Sequence, residues 1–122
     1  VPEGVRQLGE VRIDAILDVE GAFPLEDVLG RTDDPTPGSL ESLVGRFPDE
    51  FSMDGWRFRD RCFLVRAPDA TVLVDAGSGP IDSSMGRYLG VGGILPDALA
   101  ALGVAPGDVD HVVLSHMHSD HI

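Results

Sequence analysis

Three of the four histidines in this 122-residue chain, with one aspartate, fall within the six residues His116-Met117-His118-Ser119-Asp120-His121. Imidazole nitrogens and carboxylate oxygens are good ligands for zinc and related divalent ions. The cluster follows an apolar Val112-Val113-Leu114 run that reads as a buried strand. Residues two apart at a strand end project to one side, so His116 and His118 can aim at one ion. Asp120 and His121 fall where the chain must turn and can face a second ion beside the first. Two metals ~3.5–4 Å apart can hold one hydroxide between them and polarise a carbonyl or phosphoryl oxygen.

The elements that must position these residues are visible upstream. Val11, Ile13, Ala15, Leu17 and Val19 alternate with polar residues, which predicts a half-buried strand with Ile16 on its polar side. Phe58–Val65 and Thr71–Val74 predict a hairpin around Ala67-Pro68-Asp69-Ala70. Pro96–Leu102 predicts a short helix, with Pro96 in its first turn and Gly103 just past its end. Val109–Leu114 predicts the last strand. Between the first strand and Trp56 the pattern breaks down, and 21–57 reads as a surface insertion. It carries the loop signal Thr32–Gly38 and a short helix through Leu40, Leu43 and Val44 that Ser39 could cap. Gly86–Gly93 reads as a flexible segment. Trp56, Phe58 and Phe63 read as core aromatics. Cys62, the single cysteine, reads as a small buried hydrophobe.

Composition narrows the function. Acidic residues outnumber basic ones 21 to 9, giving a formal charge of −12, and every basic residue is an arginine. The missing lysines remove P-loop, Schiff-base and serine–lysine chemistry. The acidic balance counts against nucleic acid as a partner and suits a gatherer of cations. No apolar run approaches the ~18 residues of a membrane span, and no leader is visible, so the expected location is cytoplasmic.

The motif His116-x-His118-x-Asp120-His121 resembles the signature of the metallo-β-lactamase fold superfamily. Asp108–Ser115 is similar to that family's approach strand, and Thr71–Gly77 to its earlier strand and Asp-x-Gly turn. The resemblance runs from about Phe58 to Ile122, and more loosely over Val11–Leu17. It implies an α/β (α+β) fold, the αββα sandwich, of which residues 1–122 would be the N-terminal part of a single domain. It implies that His116 and His118 bind one metal ion and Asp120 and His121 a second. The ions are expected to be zinc, with iron or manganese as alternatives. Asp120 would also help catalysis by holding the nucleophile or passing a proton. Asp75, at the end of its strand, would orient a ligand histidine, or else stabilise its own turn.

The implied activity is that of a metal-dependent hydrolase, in which a metal-bound hydroxide attacks an ester, lactone or phosphoester of small size. The lactonase and organophosphate-hydrolase branch is favoured, because true β-lactamases usually depart from the motif at its last histidine. Rival expectations are an iron-dependent redox member (persulfide dioxygenase-like or flavodiiron-like), a nuclease of the same fold, and a non-catalytic binding piece. Two ligands per ion is fewer than catalytic zinc sites usually keep. A C-terminal segment is therefore expected to complete both site and fold, and a homodimer is compatible with the sequence.

Overall fold

The computed structural model describes residues 4–29 and 40–122. The Thr32–Gly38 loop and the Ser39 cap lie outside the described residues. Six strands form one sheet: β1 (Val5–Leu8), β2 (Val11–Phe23), β3 (Phe51–Ser52), β4 (Gly55–Ala67), β5 (Ala70–Val74) and β6 (His111–Val113). The order is β1-β2-β4-β5-β6, with β3 paired to β4 off this path. Among the described residues four α-helices accompany it, α1 (Leu25–Leu29), α2 (Leu40–Arg46), α3 (Ser84–Leu89) and α4 (Leu95–Ala101), with a 3-10 turn at Pro106–Asp108. The chain divides into two compact units, Val1–Val19 with Asp60–Ile122, and Glu20–Arg59. No helix among the described residues is long and apolar enough to cross a membrane.

In the first unit, β4 and β5 form the expected antiparallel hairpin, closing at Ala67 opposite Ala70. β5 and β6 pair in parallel, with Leu73 opposite Val112 and Val74 opposite Val113. A parallel pair needs a long crossover, and α3 and α4 lie within it. One core forms where Ile16, Cys62, Leu64 and Leu73 on the sheet meet Leu95, Leu99 and Val104 from the α4 region. Pro96 occupies the first turn of α4, and Gly103 just past it takes a left-handed φ of 72°. The helix thus starts and stops one residue earlier than the sequence predicts.

Four expectations need correction. The face of β2 read as polar is buried at Asp14, Ile16 and Asp18, whereas on the face read as apolar Val19 is buried and Val11, Ile13, Ala15 and Leu17 are only partly covered. The aspartates can be there because each is paired. Arg12 and Arg66 both reach Asp14 at 2.7 Å. Asp18 accepts two backbone N–H groups, described below. Second, β6 is not a buried strand: Val112 and Val113 are 55% and 50% exposed, because no described residue packs over them. Third, Gly86–Gly93 is not a loose run. Its first part belongs to α3, which Ser83 caps by accepting the Gly86 N–H at 2.9 Å. Gly86 is there for close packing, since a Cβ would stand 2.2 Å from the Pro80 carbonyl oxygen. Fourth, Phe58 is buried, but Trp56 and Phe63 are 37% and 39% exposed. Phe63 lies on the face of β4 opposite Cys62 and Leu64.

The Glu20–Arg59 unit is held by an aromatic stack. Phe23 lies 4.5 Å from Phe58 and 6.2 Å from Trp56, centroid to centroid. Gly21 lets the Phe58 ring lie against the backbone, for a Cβ would meet it at 2.7 Å. A polar cleft of about 330 Å³ opens here between Glu20, Asp54, Arg57 and Arg59.

Candidate metal centre

The site lies where β5 and β6 end side by side, at the carboxyl ends of two parallel strands. Beyond β6 the chain leaves regular structure and folds back. Asp75 N–H donates to the Val113 carbonyl at 2.8 Å, and Ala76 N–H to the His121 carbonyl at 3.0 Å. A turn in which His121 N–H donates to the His118 carbonyl at 3.0 Å compresses the motif. The last three residues of the motif therefore return to the tip of β5.

This path brings the motif side chains together. The His116 ring centroid is 4.6 Å from that of His118 and 4.1 Å from that of His121. His121 Nε2 faces Asp120 Oδ2 at 3.3 Å. His111, by contrast, opens β6 opposite Val72, at the far end of the strand. Among the described residues no three His, Cys, Asp or Glu side chains are disposed around a single ion.

Asp75 organises the cluster. It is buried and takes a φ of 64°, the one left-handed non-glycine among the described residues. Such a conformation is tolerated best by Asp and Asn, and strain of this kind gathers at functional sites. Its Oδ1 accepts Ser115 N–H at 2.7 Å, and its Oδ2 accepts Ser115 O–H at 2.8 Å and His121 Nδ1–H at 2.9 Å. Burial alone would push this carboxyl up, but the bonds from Ser115 and His121 outweigh it and hold it below the usual carboxylate range. An ionised carboxylate only accepts, so the proton lies on His121 Nδ1. His121 Nε2, the ring nitrogen left free by Asp75, faces the Asp120 carboxylate. A nitrogen and a carboxylate oxygen this close are donors that one divalent ion can take up together, and in this respect the donor set fits such an ion.

Two carboxylates of this region carry no signal in the sequence. Asp60 lies between Arg59 and Arg61 in β4, with Oδ2 3.4 Å from Ser78 Oγ. Burial, with the charge of Asp120 adding to it, pushes its carboxyl up. Asp18 accepts Ser78 N–H at 2.8 Å, beneath the loop that follows Asp75. Gly77 is therefore more than a turn residue, because a Cβ would stand 2.7 Å from Asp18 Oδ2. Both aspartates are recognisable only once the strands are paired.

The fold and site together define a class. The chain belongs to the metallo-beta-lactamase superfamily, whose family model matches residues 56–122, more than half of the chain. Two curated relatives carry the name N-acyl homoserine lactonase AiiB. The one from Agrobacterium fabrum is 39% identical over 71 residues, which cover 48% of this chain and 26% of that protein. The one from Rhizobium rhizogenes is 35% identical with the same coverage. Among solved structures, the hydrolase AbOPH of the beta-lactamase superfamily superposes with a TM-score of 0.73 at 24% identity, over 97% of this chain and 37% of its own. AidC, a dizinc quorum-quenching lactonase solved with its product N-hexanoyl-L-homoserine, gives 0.66 at 23% identity, over 96% and 36%. The structural likenesses establish the fold. This chain spans 26% of the length of the curated relatives that it matches.

Proposed function

We propose that this chain contributes half of a two-metal site to a hydrolase of small esters or lactones. His116 and His118 would hold one divalent ion, and Asp120 and His121 the other. The observation that carries this reading is the approach of the three imidazoles and Asp120, with His121 Nε2 and Asp120 Oδ2 facing each other at 3.3 Å. Zinc suits the nitrogen and oxygen donors. Bound there, two such ions would lower the pKa of water and polarise the carbonyl under attack. Asp75 holds His121 in the tautomer that leaves Nε2 bare, and Asp120 would hold a nucleophile or take its proton. Ligands beyond these four would come from a segment outside these residues.

The names of the curated relatives favour an N-acylated lactone as the substrate. The test uses the full-length protein. Metal analysis and zinc titration are expected to give two ions per chain, and H118A and D120N to lose about one each. Chelation is expected to abolish turnover of N-acyl lactones and zinc to restore it. Iron as the sole tightly bound metal would favour the redox alternative, and no bound metal would sink the proposal.

A further inference from the structure

We infer that Ser115 is a positioning residue that fixes the tautomer and orientation of His116. The inference rests on the metal-site reading above. Ser115 has one hydroxyl proton and two partners. Its Oγ is 2.8 Å from Asp75 Oδ2 and 3.0 Å from His116 Nδ1. Asp75 is an ionised acceptor and has no proton to give, so the hydroxyl proton goes to it. Only lone pairs of Oγ then remain for His116, and its Nδ1 must be the donor. The His116 proton is thus drawn to Nδ1, and Nε2 is left bare to accept a cation.

The same carboxylate oxygen takes the Nδ1–H of His121 directly, at 2.9 Å. One atom, Asp75 Oδ2, thereby sets two rings: His121 by contact and His116 through Ser115. The first of these rings is assigned to one ion and the second to the other, so a single buried carboxylate prepares both halves of the site. His118 is the internal comparison, since among the described residues its ring has no hydrogen-bond partner. Ligand histidines are typically held in this way through the nitrogen that does not bind metal, and removing such a partner lowers metal affinity about 10- to 100-fold.

The experiment is long-range 15N–1H NMR on histidine-labelled, metal-free full chain, at about pH 8, above the ordinary histidine range. Wild type is expected to show His116 and His121 as Nδ1–H. In S115A the His116 ring reverts to the Nε2–H form that free imidazole side chains prefer, while His121 is unchanged. S115T keeps the hydroxyl and the wild-type pattern. Zinc titration is expected to show one of two sites weakened about 10-fold or more in S115A and restored in S115T. Nε2–H at His116 in the wild type, or an unchanged His116 tautomer in S115A, would overturn the inference. The wild-type spectrum decides even if S115A does not fold. Absence of zinc binding by a wild type that shows Nδ1–H would sink the metal reading while leaving the hold of Ser115 on the ring intact.

Discussion

Asp18 Oδ1 accepts the backbone N–H of Leu95, 77 residues later in the chain, at 2.8 Å. Leu95 is the first residue of α4, and the residue before it, Ile94, supplies no side-chain cap. The buried aspartate of a distant strand therefore does the work of an N-cap, and its other oxygen ties down Ser78 N–H. Both donors lose their partner in D18A. A buried unsatisfied donor costs about 1–3 kcal/mol, so D18A, which strands two, is expected to lower stability by ~2–6 kcal/mol. G93A should also destabilise, because its methyl would stand 2.4 Å from both carboxylate oxygens. Urea denaturation checks both; a D18A midpoint equal to wild type would refute the capping role.

Asp14 gives a pH signature. Hydrogen bonding from Arg12 is the largest influence and, with Arg66, holds the carboxyl below its usual range against the opposing effect of burial. The folded pKa lies below the unfolded value of ~3.9, so the contribution is full above that value. It is lost as pH falls through the folded pKa. The stability gap between wild type and D14N is expected to be constant near neutrality and to close below about pH 4. Thermal unfolding from pH 7 to pH 3 measures it.

Asp60 should behave in the opposite sense. Its carboxyl is pushed up, first by burial and then by Asp120. Ionising it in the folded state is therefore costly, and the cost grows as pH rises from the unfolded pKa to the folded one. Metal-free D60N is expected to melt above wild type at pH 7, with the difference gone near pH 3.

The Cys62 thiol is predicted to be inert. It is 1% exposed, and burial, with Asp18, Asp75 and Asp60 nearby, pushes it up to about 12. An aromatic disulfide reagent at about pH 8 is expected to find no reactive thiol in the native chain and one after denaturation. Fast native labelling would show that the core around Leu64 opens readily.

The site was more legible in the sequence than the face that supports it. The His116–His121 spacing is local, and local spacing survives into the structure as ring centroids 4.1–4.6 Å apart. The strands β2, β4, β5 and β6 and the helix α4 were also readable, because their apolar periods and turn residues are local, whereas the short β1 and β3 were not read. The orientation of β2 was not. Hydropathy assigns Asp14 and Asp18 to solvent, but Arg66 and the amides of Ser78 and Leu95 reach them from far along the chain. Long-range satisfaction of a carboxylate leaves no periodic trace. Asp60 and the bridging hydroxyl of Ser115 were missed for the same reason: each is ordinary until pairing brings its neighbours close.

The reach of Asp75 also has a consequence in time. Its bonds to Ser115 and His121 close loops of 40 and 46 residues. Such closures cost entropy before they return any contact, and parallel pairing is slow to nucleate. The β4–β5 hairpin, joined by two residues, needs no such wait. During refolding the sheet should therefore begin as a hairpin, and the heptapeptide Ser115–His121 should be shaped only when β6 docks. A cation arriving earlier meets a pliable chelating peptide, and one arriving later meets rings already turned to receive it.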